Sequence, residues 1–285
     1  MTVLAIVSTL LPNDREETAR FLLRLQAPVI LEAVSGLRED PRLQHLRVNY
    51  PPEGVESLLR IGGVPTAKIW RDLEVHPLPA LSISHLPFPG AQNSGLIVGS
   101  PGKILQKLHP RAQGWKGGAQ EIPCFAPGSE AALIHKLSLA IPDGSHVYLG
   151  NSLPIRTWDL AATLKPKNFD IQASRGLNGI DGQIATFLGL CRPDRVNVAI
   201  LGDLTTLYDM SAFWILRQMK EFAVTVVIIN NGGGMIFAGK FQEPAFQCRH
   251  SLRFAPLANM WGMEYFEDIP STWPGDGHRL IEIII

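Results

Sequence analysis

The chain has 285 residues, 46% of them hydrophobic, enough to bury one large core or two of moderate size. Basic and acidic residues balance at 26 each and no Lys/Arg cluster interrupts that balance, which argues against a nucleic-acid footprint. Cys124, Cys191 and Cys248 are far apart and lack a CxxC spacing, so they read as free or buried thiols in a reducing compartment, neither a disulfide frame nor a zinc site.

"MTVLAIVSTLLP" lacks a basic stretch and a small-residue cleavage site and reads as a first strand. No run reaches the length of a membrane span, so a soluble, cytoplasmic protein is expected. Asn13 with Glu16 then forms a capping signal for a helix carrying Phe21, Leu22 and Leu25. "PVILE" is the next strand; "PEGVESLLR", "PTAKIWRDLE" and "PGKILQKL" read as helices and "LIVGS" as a late strand. This βαβ rhythm implies a parallel sheet with helices on its faces. The glycines of "RIGGVPTAK" read as a strand-to-helix turn. From about His109 to Gly128 the chain is rich in Gly and Pro and reads as a linker, giving domains at 1–112 and 113–285.

The second part repeats the alternation with loaded loops. "HVYLG", "NFDIQAS", "VNVAILG" and "VTVVIIN" are strands, followed by "NSLPIR", "SRGLNGIDG", "DLTTLYD" and "NGGGMIF". The fold class is therefore α/β, two doubly wound parallel-sheet domains, in which ligands bind outside the carboxyl ends of the strands. Leu204, Leu207, Tyr208, Ala212, Ile215, Leu216 and Met219 recur at helical spacing, with Tyr208 on the apolar stripe. A standard crossover through that helix sets "GD" and "NN" on adjacent strand ends.

Asp203 at a helix start can be a cap, and Asn230 and Asn231 can be turn formers. Together they suit Mg²⁺, which takes hard oxygen ligands from few protein groups plus phosphate oxygens. A carboxylate, an amide oxygen and a carbonyl freed by glycines make half an octahedron, and a diphosphate with water completes it. On this reading the glycine run lets backbone approach a metal-bound diphosphate. Ser152 and Arg156 are four apart at a helix start and share a face, and arginine's planar fork suits carboxylates. His109, His135, His146, His250 and His278 have no partner at a catalytic spacing and receive no role.

"GD" followed one crossover later by "NN" resembles the cofactor motif of thiamine-diphosphate-dependent enzymes. "GNSLPIR", "SRGLNGIDG", "GDLTTLYDM" and "NNGGGMIF", in this order, resemble the synthase family of menaquinone biosynthesis. That family makes 2-succinyl-5-enolpyruvyl-6-hydroxy-3-cyclohexene-1-carboxylate from 2-oxoglutarate and isochorismate. The motifs cover the second domain; the first matches the family's central domain only in general pattern. The resemblance implies thiamine diphosphate with Mg²⁺ (or Mn²⁺) held by Asp203, Asn231 and the Gly233 carbonyl. It implies that Gly202 and Leu204 flank the diphosphate and that Ile180 braces the bent cofactor, with Ile236 beside it. Ser152, Arg156 and Arg175 would bind substrate carboxylates, with Ile236 and Phe237 as the apolar wall of the substrate pocket.

The family also carries a preceding pyrimidine-binding domain, whose glutamate activates the cofactor, and no segment here matches it. No catalytic residue is therefore assigned to this chain. "LIEIII" stops on a core strand, and Lys240 stands where the family has an apolar residue. The expectation is a subunit or fragment of such a transferase, inactive alone, completed by a pyrimidine-binding domain on a separate chain within a homo-oligomer. The alternative is a non-catalytic thiamine-diphosphate-binding or regulatory pseudo-subunit.

Overall fold

The computed structural model describes residues 2–90, 94–118, 121–176 and 178–285. The chain divides into two compact units, Met1–Ile122 with Leu164–Pro166, and Pro123–Thr163 with Lys167–Ile285.

The first unit runs β1 (Thr2–Val7), α1 (Pro12–Leu25), β2 (Val29–Leu31), β3 (Val55–Ile61), α2 (Lys68–Asp72), β4 (Ala80–Ser84), β5 (Ser94–Val98) and α3 (Pro101–Leu105). Its five strands are all parallel in the order β2-β1-β3-β4-β5. Parallel strands are covered on both faces, and β1 shows why its sequence is continuously apolar. Ala5 and Val7 join one core with Phe21, Leu22 and Leu25 of α1. Leu4 and Ile6 point to the other, with Leu58 and Trp70.

Two local expectations are corrected and one strand is added. "PEGVESLLR" is not a helix: Val55–Ile61 is strand β3, between β1 and β4. Val55, Leu58 and Leu59 imitate a helical stripe, whereas the run is apolar because both strand faces are buried. Arg60 is fully buried there and donates to the Pro89 and Phe88 carbonyls at 2.8 and 3.1 Å, its guanidinium 5.4 Å from the Trp70 ring centre. Strand β4 went unanticipated. Helix α1 begins at Pro12 with Leu11 as its N-cap, so Asn13 and Glu16 lie inside its first turns.

The second unit runs α4 (Glu130–Ala140), β6 (His146–Leu149), α5 (Leu153–Ala161), β7 (Asp170–Gln172), α6 (Gln183–Leu190), β8 (Val196–Gly202) and α7 (Asp203–Asp209). It continues through β9 (Ala223–Asn230), α8 (Pro244–Gln247), α9 (Ala255–Trp261), β10 (Glu264–Phe266) and β11 (His278–Ile284). Its six strands are all parallel in the order β10-β11-β9-β8-β6-β7. Val198–Leu201 and Val226–Ile229 are essentially sealed from solvent.

The stripe from Leu204 to Met219 is not one helix. It passes from α7 into a 3-10 stretch over Met210–Gln218. That change of pitch rotates the stripe, and Tyr208, expected in the core, is 68% exposed. Among the described residues no helix is long and apolar enough to cross a membrane.

Candidate functional site

The second sheet reverses its direction of growth at β6. The chain passes from β6 outward to β7, then returns to place β8 on the other side of β6. Crevices outside the carboxyl ends of strands form at such switch points. The loops after β7, β6, β8 and β9 are the four that sequence reading singled out, and their strands are consecutive neighbours in the sheet.

The loops after β6 and β7 are locked together by one buried amide. Asn151 donates its N–H to Gln183 Oε1 at 2.9 Å and its Nδ2 to the Gly179 carbonyl at 2.8 Å. Its Oδ1 accepts from Arg175 Nη1 at 2.8 Å. Tyr148 Oη and Ser174 Oγ, 2.7 Å apart, make a further tie. Ser152 has φ 75 and ψ −128, a backbone state that favours glycine. Such a state costs on the order of 1–3 kcal/mol in a residue with a side chain, and it occurs preferentially at functional sites. Arg156, one turn into α5, donates from Nη1 back to the Ser152 carbonyl. Ile180 is half-buried on the loop after β7.

Beta strands β8 and β9 pair in register through Gly202 and Ile229, so Asp203 and Asn231 leave from neighbouring strand ends. Asp203 is 2% exposed. Its Oδ1 accepts from Leu204 N at 2.6 Å and its Oδ2 from Gly233 N at 2.9 Å, which stitches the two loops together. Gly202 has φ −79, and a Cβ built on it would meet nothing closer than Thr205 Oγ1 at 3.8 Å. Its bareness therefore leaves open space beside Asp203.

The two asparagines do different work. Asn230 is buried and donates from Nδ2 to Glu282 Oε1 at 2.6 Å and to the Leu252 carbonyl at 2.9 Å, inside the fold. Asn231 donates from Nδ2 to Glu130 Oε2 at 3.4 Å, while its Oδ1 is buried without a hydrogen-bond partner. A buried acceptor left without a donor costs roughly 1–3 kcal/mol, and a cation would satisfy it. Asn231 Oδ1 and the Asp203 carboxylate are hard oxygens, the donor type Mg²⁺ selects. The Gly233 carbonyl accepts from Met235 N at 2.9 Å, which occupies one of its two lone pairs. The residues present fit a divalent ion.

The glycine run approaches something that sequence reading did not supply. Gly232 and Gly233 have φ 72 and 140, and a Cβ on Gly233 would sit 2.6 Å from the Gln247 carbonyl oxygen. The same segment accepts from Gly234 N at Gln247, while His250 N donates to the Gly232 carbonyl at 3.1 Å. The loop after β9 is thus laced to residues 247–250. Ile236 is half-buried; Phe237 is 46% exposed and follows Phe241 and Phe246 in a tilted aromatic row, with centroids 6.4 and 5.1 Å apart. Lys240 is exposed.

Two residues of the site were missed. His250 Nε2 lies 3.4 Å from Asp203 Oδ2 and is buried. Its Nδ1 accepts from Leu252 N at 3.2 Å, while Nε2 itself has no hydrogen-bond partner. Glu130, first residue of α4, turns inward to accept from Thr157 Oγ1 at 2.8 Å as well as from Asn231. Burial pushes its carboxyl above the ordinary range, and the nearby Asp203 charge adds to that. No motif spacing announces either one. Glu130 reads as an ordinary helix-start acid, and His250 lies 47 positions beyond Asp203, outside every motif.

No family model matches the chain. It is 36% identical over 292 residues to the 2-succinyl-5-enolpyruvyl-6-hydroxy-3-cyclohexene-1-carboxylate synthase of Bdellovibrio bacteriovorus, covering 92% of this chain and 55% of that protein. The synthase of the same name from Akkermansia muciniphila is 34% identical over 293 residues, 92% of this chain and 54% of its own. Among solved structures, benzoylformate decarboxylase from Polynucleobacter necessarius superposes with a TM-score of 0.72 at 15% identity, over 100% of this chain and 62% of that one. A chain from Mycobacterium smegmatis described as a thiamin diphosphate-dependent enzyme gives 0.71 at 17%, over 99% and 61%. At those identities the structural likeness speaks for the fold.

Over nearly its whole length the chain has the fold of thiamine-diphosphate-dependent enzymes. In sequence the chain is similar to 2-succinyl-5-enolpyruvyl-6-hydroxy-3-cyclohexene-1-carboxylate synthases, and it spans about half the length of the curated relatives named above.

Proposed function

We propose that the second unit holds the diphosphate of thiamine diphosphate through Mg²⁺ or Mn²⁺, as part of a synthase that joins 2-oxoglutarate to isochorismate. The observation that carries this is the buried, unpartnered Asn231 Oδ1 on the strand end next to Asp203. Asp203 and Asn231 hold the ion, with the second lone pair of the Gly233 carbonyl as a further ligand. Gly202 and Leu204 border the open space beside Asp203, where the diphosphate lies, and Ile180 with Ile236 lines the cofactor. When bound, thiamine diphosphate supplies the nucleophilic carbon that 2-oxo acid chemistry requires.

Ser152, Arg156 and Arg175 recognise the substrate carboxylates, and Ile236 with Phe237 walls the apolar side. The arginines leave from adjacent strand ends, and each already donates to a loop oxygen that fixes its fork. Activation of the cofactor and closure of the pocket against water fall to a pyrimidine-binding domain on a separate chain, within a homo-oligomer in the cytoplasm.

Calorimetric titration of thiamine diphosphate with and without Mg²⁺ tests the assignment. Binding is expected only with the metal, and Asp203→Ala should abolish it. A lost helix cap costs about 1 kcal/mol, whereas removing a metal carboxylate costs several. Equal binding without metal, or an unaffected Asp203→Ala, would sink the reading.

A further inference from the structure

We propose that Glu130 is a positioning residue that turns the Asn231 amide so that its oxygen faces the divalent ion, an inference that rests on the metal site assigned above. An asparagine amide has an acceptor end and a donor end of nearly the same shape, and only the acceptor end can ligate a cation. Something must select between the two, because a half-turn about the last side-chain bond would aim two N–H groups at the ion.

The selection comes from a carboxylate, which only accepts. Asn231 Nδ2 donates to Glu130 Oε2 at 3.4 Å, and this leaves Oδ1 pointing away, buried and without a partner. Glu130 is itself held. Its Oε1 takes the Thr157 hydroxyl from α5 at 2.8 Å, and Ser129 Oγ caps α4 beside it by accepting from Ala132 N at 3.3 Å. One side chain thus joins α4, α5 and the loop after β9. An acidic residue at a helix start ordinarily faces solvent, where it favours the helix dipole at no desolvation cost. This one is turned inward, and among the described residues it forms no ion pair with Lys or Arg. Binding α4 to α5 needs only the Thr157 contact, so packing leaves the second oxygen's approach to Asn231 unexplained. Orientation of a ligand explains it. Partners that orient metal ligands from behind are worth about 10–100-fold in metal affinity.

The experiment titrates Mn²⁺ into the full chain with saturating thiamine diphosphate, following the free-ion electron paramagnetic resonance signal, with melting recorded alongside. Glu130→Ala is expected to weaken Mn²⁺ binding about 10–100-fold, and Glu130→Gln, whose amide oxygen still accepts, to stay within roughly threefold of the parent. Glu130→Ala binding like the parent would overturn the proposal, and so would equal weakening by both variants, which would make charge the agent and not orientation. If Glu130→Ala does not fold, Thr157→Val decides. It frees the carboxylate from α5 and should weaken Mn²⁺ binding several-fold, and parent-like affinity counts against the proposal. A parent chain that takes up no Mn²⁺ with the cofactor overturns the metal assignment, and this inference with it. Binding by the parent alongside an unaffected Glu130→Ala overturns this inference alone.

Discussion

Asn230 donates from Nδ2 to Glu282 Oε1 at 2.6 Å, tying the end of β9 to its neighbour β11 inside the sheet. Glu282 is fully buried and also accepts from Phe254 N at 3.0 Å, Tyr265 Oη at 2.6 Å and Arg253 Nε at 3.2 Å. The first asparagine of the pair is therefore a structural tie that leaves the second free to face the site. Glu282→Ala strands four donors at once, and removing one member of such a buried charged network costs roughly 3–5 kcal/mol. Urea unfolding should show a loss of that order, against a loss below about 1 kcal/mol if the network were incidental.

Stability should fall on the acid side. Burial alone would raise Glu282, but hydrogen bonds from Tyr265, Phe254 N and Asn230 outweigh it and hold the carboxyl below its ordinary value. Asp14 behaves likewise in the first unit: burial opposes, and Ser100, His85 and Gly102 N prevail. A depressed folded value gives stability that is present above the unfolded value and lost as pH falls through the folded one. Melting temperature should hold steady above about pH 5 and drop below roughly pH 4. Asp14→Asn and Glu282→Gln should each flatten that decline; an unchanged acid limb in both would refute the assignment.

The glycines at the site separate by purpose. Gly233→Ala forces a Cβ to within 2.6 Å of the Gln247 oxygen at φ 140, and should cost more than about 1 kcal/mol in thermal unfolding. Gly202→Ala meets no atom closer than 3.8 Å and should leave stability within about 0.5 kcal/mol. Its methyl occupies the space beside Asp203, so cofactor titration of this normally stable variant should show weakened binding. Parent-like binding would remove the diphosphate from that space.

In an active complex reconstituted with a pyrimidine-binding domain, Arg156→Ala or Arg175→Ala should raise the substrate concentration needed for half-maximal rate at least tenfold. A lost charged hydrogen bond is worth roughly 1.5–3 kcal/mol, and a factor of ten requires about 1.4. Unchanged kinetics with lowered melting temperatures would assign both arginines to the Ser152 and Asn151 loops alone.

Much of this was legible because strand ends are local. Each of the four loaded loops directly follows an apolar run, so "GD" and "NN" could be placed before any coordinates. The partners that complete the site could not. Glu130 meets Asn231 across 101 positions and lies outside every motif. His250 reaches Asp203 from a loop whose path depends on the φ of Gly232 and Gly233. Where the reading failed, two periodicities overlapped. Val55, Leu58 and Leu59 fit a helical stripe as well as a doubly buried strand, and burial on both faces decided for the strand. Tyr208 fitted a continuous helix, but the helix tightens after Asp209.

Strand β11 sits between β9 and β10, yet it is the last of the three to be synthesised. With 52 positions between Asn230 and Glu282, a ribosome adding about 5–20 residues per second delivers the carboxylate roughly three to ten seconds after the amide. Through that interval the Val224–Ile229 run has an open edge of unpaired backbone groups, with the composition that invites pairing with other chains. The ties of the loop after β9 to Asp203, Glu130 and residues 247–250 all precede β11 in the chain, so it is the sheet edge, and not the loop, that waits for the last strand. A slow stretch of translation between β9 and β11 would lengthen that exposure without changing a single residue of the finished protein.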